Sequence, residues 1–340
     1  MRVFHTVLCL CVTLLIIGCA ETGVQQSPQP AELANLYNSR GLTQAANRSY
    51  DAAIADYDRA LEQVPDYRPA LYNRAIAYGK KRDFDRAIAD YDHAIVVDPN
   101  HSAQYFGRAY AYSQKRDLDH AIADYSEALR LSPNDPFALN NRGTMYKQKG
   151  DLSHALQDFS EAIRVKPDYA AAYANRGLIY IVLDEYDRAI PDQTRAISLE
   201  SRAEHWFYRG LAYAGKQDID HSISDFSEAL RRDPRFADAL RMRAMGYGAR
   251  GDYERAIGDY SALLQIKPDD VQALVARGEV YAERRQYNLA IADFGSAIRV
   301  DPSFAKAYER RGRAYREIGD NAHAIQDLNE ALRLQTGIRY

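Results

Sequence analysis

Small and large apolar residues recur with a period of 34 along the chain from Ala34 onward. With Ala34 as position 1, position 8 is always Gly or Ala, and positions 20 and 27 are Ala in eight of nine repeats. Apolar and aromatic residues recur at positions 21, 24 and 28, the spacing that places side chains on one helix face. Position 11 is Tyr in every repeat but the first. The pattern therefore predicts two helices in every repeat, packed closely where the small residues lie.

Asp and Pro mark the boundaries of the predicted helices. Position 16 is mostly Asp, which can accept hydrogen bonds from the free N–H groups that open the second helix. Position 32 is Pro in most repeats and ends the second helix. Nine repeats follow one another, and the fifth is one residue shorter than the others. Their predicted bounds are 34–67, 68–101, 102–135, 136–169, 170–202, 203–236, 237–270, 271–304 and 305–338.

Repeat 4 shows the small and aromatic positions together. It contains Asn141-Arg142-Gly143, Tyr146, Gly150-Asp151, Ala155, Phe159, Ala162 and Pro167. These residue types, which recur at the same positions in the other repeats, resemble the pattern of the tetratricopeptide repeat family. The resemblance implies an all-α fold, a right-handed α-solenoid (superhelix) of nine tandem helical hairpins with a concave inner groove. Each hairpin would bury its apolar face only against its neighbours.

Two charged positions never vary. Position 7 is Arg and position 23 is Asp in all nine repeats, whereas the family often has an apolar residue at position 7. Position 7 lies among core positions, and a buried charge needs a partner. We therefore predict Arg–Asp pairs that bridge two helices, either within a repeat or between neighbours. The alternative is a ladder of arginines that binds a ligand. The residues singled out as structural pairs are Arg74, Asp90, Arg108, Asp124, Arg142 and Asp158.

Ligands of this family usually lie in the concave groove, which is lined by first-helix positions such as 2, 5, 6, 9 and 12. Asparagines at position 6 hold a peptide backbone in some members. The resemblance implies a peptide or partner-helix groove, although the aromatic side chains could instead pack on one another and close it. Lysine at 5 and asparagine at 9, the carboxylate clamp for chaperone tails, are absent. The expected groove residues are Tyr72, Asn73, Ile76, Phe106, Tyr110, Asn141, Asn175, Leu178, Phe207 and Leu211.

The first nineteen residues have the pattern of a secretory signal peptide. A basic Arg2 is followed by a short apolar run, and the segment ends in Leu15-Ile16-Ile17-Gly18-Cys19, which resembles a bacterial lipobox. The resemblance implies cleavage after residue 18 and lipid attachment to Cys19, which would anchor the protein without spanning the bilayer. An ordinary signal peptide or an uncleaved anchor are the alternatives. We expect residues 19–33, polar and with two prolines, to form a flexible tether.

The composition of the chain argues against several classes of function. The chain of 340 residues carries 44 basic and 47 acidic residues, a net charge of −3, so it has no basic excess for nucleic acid. All three cysteines lie within the first nineteen residues, so the repeats offer no thiolate ligands. Four histidines share position 19 with arginine, which is typical of a solvent-facing position. We found no catalytic motif, and we expect no catalytic residues, no metal site and no cofactor.

Together these observations predict a non-catalytic scaffold. It would bind a protein or peptide and would be lipid-anchored in a bacterial cell envelope. If the cell has two membranes, Ala20 after Cys19 favours the outer membrane, facing the periplasm, by the rule of such lipoproteins. The alternative is an oligomerising assembly subunit of an envelope secretion or pilus system, either secreted or anchored. The chain ends two residues after repeat 9, so Leu328 and Leu332 of the last helix are candidates for a homodimer contact.

Overall fold

A computed structural model describes residues 29–336. Eighteen α-helices and no strand occur within this range, two helices for each of the nine repeats. The fold is therefore an all-α repeat solenoid. The expected signal peptide and Cys19 lie outside the described residues. The described helices include none that is long and apolar enough to cross a membrane.

The chain divides into two compact bodies, with the boundary between Pro99 and Asn100. The N-terminal body holds repeats 1 and 2, and the C-terminal body holds repeats 3 to 9. The helices of the N-terminal body are α1 (Pro30–Ala46), α2 (Tyr50–Gln63), α3 (Arg68–Lys80) and α4 (Phe84–Val97). Those of the C-terminal body are α5 (Ser102–Gln114), α6 (Leu118–Leu131), α7 (Pro136–Gln148), α8 (Leu152–Val165), α9 (Ala170–Val182), α10 (Tyr186–Leu199), α11 (Ala203–Gly215), α12 (Ile219–Arg232), α13 (Ala237–Ala249), α14 (Tyr253–Ile266), α15 (Val271–Glu283), α16 (Tyr287–Val300), α17 (Ala305–Glu317) and α18 (Asn321–Thr336).

Helix α1 begins earlier than the sequence pattern predicts. Pro30 occupies its first turn, where a missing N–H costs nothing. The backbone N–H of Gln29 donates to the Glu32 carboxylate at 3.1 Å, which closes a capping box. The expectation of a tether through residue 33 is therefore wrong for residues 30–33, which are helical.

In seven of the nine hairpins the small residue at position 8 lies against a ring at position 24; Gln193 and Leu328 take that place in repeats 5 and 9. A Cβ added to Gly278 of α15 would lie 2.6 Å from the Phe294 ring of α16, and one added to Gly210 would lie 2.7 Å from Phe226. Both rings are fully buried. Position 8 must therefore stay small because the ring at position 24 occupies the space that a larger side chain would need.

The turn between the two helices repeats one backbone conformation. Position 15 has a positive φ in all nine repeats: Gly150, Gly251 and Gly319 have φ of 82°, 80° and 83°, and six other residues have φ near 60°. The next residue caps the second helix. In repeat 4 the Asp151 carboxylate accepts the backbone N–H of His154 at 3.1 Å. This turn sets the angle at which every second helix packs on its first helix.

Candidate functional site

A forked ion pair joins the two helices of every repeat. In repeat 4, Arg142 Nε donates to Asp158 Oδ2 at 2.9 Å and Nη2 donates to Oδ1 at 2.7 Å. Asp158 is buried, and the equivalent aspartates are buried in all nine repeats. The same pair forms within each repeat: Arg40–Asp56, Arg74–Asp90, Arg108–Asp124, Arg142–Asp158, Arg176–Asp192, Arg209–Asp225, Arg243–Asp259, Arg277–Asp293 and Arg311–Asp327.

The third nitrogen of the fork reaches the preceding repeat. Arg142 Nη1 donates to Ser126 Oγ at 3.1 Å, and Arg74 Nη1 lies 2.6 Å from Asp58 Oδ1. The acceptor is always at position 25. The further contacts of this kind are Arg176–Ser160, Arg209–Thr194, Arg243–Ser227 and Arg277–Ser261. In repeat 9 the corresponding residue of the preceding repeat is Gly295, which has no side chain to accept the bond. One guanidinium thus connects three helices.

The two charges of each pair stabilise one another. The hydrogen bond from Arg40 lowers the pKa of Asp56 below its usual value, against the opposing effect of burial. The hydrogen bond to Asp158 raises the pKa of Arg142, again against burial. In all nine repeats the guanidinium group donates its paired hydrogen bonds to an aspartate, so the arginines are structural. The alternative of a ligand-binding arginine ladder has no support in this geometry.

The first-helix face, defined here as positions 5, 6, 9 and 12 of the first helices, lies in the N-terminal body on α1 and α3. Tyr72 packs edge-on against Tyr91, with ring centroids 5.9 Å apart. Asn73 Nδ2 donates to Asn38 Oδ1 at 2.9 Å. Ile76 at position 9 is exposed. In this body the aromatic side chain belongs to the packing, and the residue at position 9 is available to a ligand.

The same face in the C-terminal body presents apolar side chains at position 9. Phe106 at position 5 packs edge-on against Tyr125 at 5.5 Å, whereas Tyr110 at position 9 is 47% exposed. Leu178 and Leu211 are half-buried at position 9. Met245 at position 9 of repeat 7, which the sequence analysis did not single out, is 52% exposed.

The expectation that Phe207 lines the groove is wrong. Its side chain is 9% exposed and lies in the hydrophobic core. The ring centroids of Phe226 and Phe236 lie 5.7 and 4.8 Å from that of Phe207. Phe226 lies in α12 and Phe236 caps α13, so the ring at position 5 is covered from the second helix of its own repeat and from the joint to repeat 7.

The asparagines of the first-helix face form hydrogen bonds with one another. Asn175 Nδ2 donates to Asn140 Oδ1 at 3.0 Å, across the joint between repeats 4 and 5. Asn140 Nδ2 lies 3.5 Å from Asn141 Oδ1. Lys147 Nζ donates to Asn175 Oδ1 at 3.2 Å. Asn140 and Lys147 were not among the residues that the sequence pattern predicted for the groove. The available signal was that position 12 is small in most repeats, so that a lysine there departs from the pattern.

Towards the C-terminus the first-helix face becomes charged, and its charges pair. Arg241 Nη2 contacts Asp270 at 2.5 Å. Lys306 and Arg310 both contact Glu279, at 3.1 and 2.8 Å. Arg241 is neutralised by Asp270, which caps α15, and the contacts of Lys306 and Arg310 with Glu279 hold the first helices of repeats 8 and 9 together.

The histidines at position 19 stack on a tyrosine and contact the aspartate that caps their helix. His154 stacks on Tyr146, with centroids 5.0 Å apart, and its Nδ1 lies 2.7 Å from Asp151 Oδ2. The same stack forms at His120, His221 and His323. Among residues 29–336 no three His, Cys, Asp or Glu side chains are grouped as metal ligands would be.

Replacing Asp158 by Ala tests the structural role of the fork. The change leaves the Arg142 guanidinium half-buried and without its carboxylate, so we expect a loss of about 3–5 kcal/mol in the free energy of unfolding. The matched control is Glu161→Ala on the same helix, which removes an exposed pair whose partner, Arg164, lies 2.6 Å away. That change should cost at most about 1 kcal/mol. Urea unfolding measures both, and equal losses would contradict the structural role.

Comparison with known proteins places the repeats in a family. Models described as tetratricopeptide repeat match residues 72–136, 207–271, 241–291 and 275–337 and residues 170–202. A model described as TPR repeat matches residues 143–181. Together these matches cover more than half of the chain. Among proteins of curated function, none matches the sequence significantly.

Solved structures share the fold. The C-terminal part of a TPR repeat-containing protein from Cytophaga hutchinsonii is 19% identical with a TM-score of 0.59, and the match covers 70% of this chain and 98% of that one. A tetratricopeptide repeat protein from Parabacteroides merdae is 20% identical with a TM-score of 0.54, over 73% of this chain and 98% of that one. A chain of the APC/C hetero-tetramer Cut9–Hcn1 is 16% identical with a TM-score of 0.53, over 82% of this chain and 55% of that one.

Repeats of this kind build scaffolds for protein–protein interaction. The hairpins, the small residue against the position-24 ring, and the family matches agree along the described chain. The chain belongs to the tetratricopeptide repeat family.

Proposed function

We propose that the protein is a non-catalytic scaffold that binds a peptide or partner helix on its first-helix face and is anchored by lipid at Cys19 in a bacterial cell envelope. The observation that carries the binding proposal is the exposure of apolar side chains at position 9, represented by Tyr110 and Met245. The core does not need them, because the rings at position 24 fill the hairpins. Exposed apolar anchors among polar groups are typical of a surface that binds another chain.

A selection from a random peptide library on the full-length protein tests the binding face. Peptides enriched on the wild type should bind Met245→Glu at least about tenfold more weakly, because the carboxylate would have to be desolvated in the contact. The matched control is Leu289→Glu. Leu289 is exposed to a similar degree, 48%, but lies on the second helix α16. Its substitution should change the affinity less than about twofold. The absence of enriched peptides, or equal effects of the two substitutions, would contradict the proposal.

The proposal of a lipid anchor rests on residues 1–19, which lie outside the described residues and end in Leu15-Ile16-Ile17-Gly18-Cys19. Cys19→Ser removes the thiol that would receive the lipid, so the precursor should stay uncleaved at that site and incorporate no labelled fatty acid. Cys11→Ser is the control, because residue 11 would be discarded with the leader, and it should behave as the wild type. Labelling in cells followed by mass spectrometry of the N-terminus checks both. Lipid incorporation by the Cys19→Ser protein would remove the proposal.

A second candidate is the oligomerising assembly subunit. The observation that favours it is an apolar strip on the last helix α18, where Ile325 is 62% exposed and Leu332 is 44% exposed. Leu328, the other expected contact, is half-buried and packs close to Gly312. The self-association surface in this alternative would therefore be formed by Ile325 and Leu332.

A further inference from the structure

One cation on the first-helix face differs from the others. Lys147 occupies position 12 of repeat 4, near the C-terminal end of α7, and is half-buried. Six of the other eight repeats place a small residue there, and the remaining two have Ile181 and Arg316. Lys147 and Arg316 are the two cations at this position, and Lys147 is half-buried whereas Arg316 is exposed.

Lys147 has an amide partner but no carboxylate. Its Nζ donates to Asn175 Oδ1 at 3.2 Å, and Asn175 Nδ2 in turn donates to Asn140 Oδ1 at 3.0 Å. Burial lowers the pKa of Lys147 below its usual 10.5, and burial is the sole cause. No carboxylate of residues 29–336 pairs with Lys147, whereas Arg241 and Arg310 on the same face each contact one.

The ammonium group of Lys147 has hydrogen-bond donors and a positive charge that suit an anion. An ammonium group has three N–H donors, and the bond to Asn175 uses one of them. A partly desolvated cation without a counter-charge is unfavourable until a carboxylate binds to it. A carboxylate would accept charge-assisted hydrogen bonds, which are stronger than neutral ones. The neighbouring amides of Asn140 and Asn175 fix the geometry of the site.

We propose that Lys147, oriented by Asn175, binds the side-chain carboxylate of an Asp or Glu residue in the peptide that occupies the first-helix face. The proposal rests on the peptide-binding function proposed above and assigns part of its specificity. The site uses position 12 of one repeat and position 6 of the next, so it differs from the clamp at positions 5 and 9 that is absent from this chain.

Residues on both sides of Lys147 favour a side-chain carboxylate over a chain end. Tyr110 lies in repeat 3 on one side, and Leu178 and Leu211 lie in repeats 5 and 6 on the other. A ligand that contacts apolar residues on both sides must continue in both directions past the carboxylate. Packed helices lie about 8–10 Å apart, and an extended peptide advances about 3.3 Å per residue. The expected ligand therefore has an apolar residue about three positions away on each side of its acidic residue.

Peptide selection on the full-length wild type, Lys147→Gln and Lys149→Gln tests the proposal. The probes are twelve-residue random peptides, synthesised in parallel with free and with amidated C-termini. Lys149 is the matched control, because it is exposed, lies two residues away and pairs with Asp119. We expect an excess of Asp or Glu, flanked by apolar residues, on the wild type and on Lys149→Gln, with either C-terminus. Lys147→Gln should enrich peptides without this excess.

A second measurement changes the peptide as well as the protein. Changing the acidic residue of an enriched peptide to its amide should lower its affinity for the wild type by about tenfold or more. The same change should have less than about a twofold effect on binding to Lys147→Gln, as a double-mutant cycle requires. Thermal melting should show Lys147→Gln to be at least as stable as the wild type, because a desolvated charge has been removed.

The outcomes separate this inference from the function on which it rests. Enriched peptides without acidic excess on the wild type, or the same excess on Lys147→Gln, would overturn the carboxylate site and leave peptide binding intact. Loss of binding on C-terminal amidation would show that the chain end is the ligand group, which would overturn the assignment to a side chain. The absence of any enriched peptide would overturn both proposals.

Discussion

The fork from the position-7 arginine to the position-23 aspartate is the interaction on which the packing of every hairpin depends. It crosses from the first helix to the second beside the contact between the position-8 residue and the position-24 ring, for example Arg277–Asp293 beside Gly278 and Phe294. A buried ion pair gives little net stability compared with apolar packing, but breaking it is costly. Its effect is therefore to fix one register between the two helices.

Because the fork and the rings secure the hairpins from inside, positions 9 and 12 can change without disturbing the core. This freedom explains why the first-helix face differs along the chain while positions 7, 8 and 23 do not. At position 9, Tyr110 and Met245 are exposed and apolar, whereas Glu279 pairs with Lys306 and Arg310. A desolvated Lys147 is tolerated for the same reason, since proteins can accept a local loss of stability at a binding site.

The sequence period was sufficient to predict the helical hairpins, because it reports which side chains share a helix face. Equal numbers of Arg and Asp at fixed positions suggested pairing, but not whether the pairs lie within or between repeats. The arginine reaches both, since its third nitrogen finds Ser126 or its equivalents at position 25. Phe207 could not be placed from the period alone, because its burial depends on ring contacts with Phe226 and with Phe236, which lies at the joint to repeat 7. The asparagine contacts likewise depend on side-chain geometry across a joint.

The coupling of neighbouring repeats by the arginine can be measured most directly at Arg243, whose Nη1 donates to Ser227 Oγ at 3.0 Å. Ser227→Ala removes this acceptor but leaves the Arg243–Asp259 fork and the hydrophobic core in place. Hydrogen exchange of the backbone amides should become about tenfold or more faster in both α12 and α13, since a lost hydrogen bond to a charged group destabilises by about 1.5–3 kcal/mol. Ser296→Ala on α16 is the control. Wild-type exchange in α13 of the Ser227→Ala protein would contradict the account.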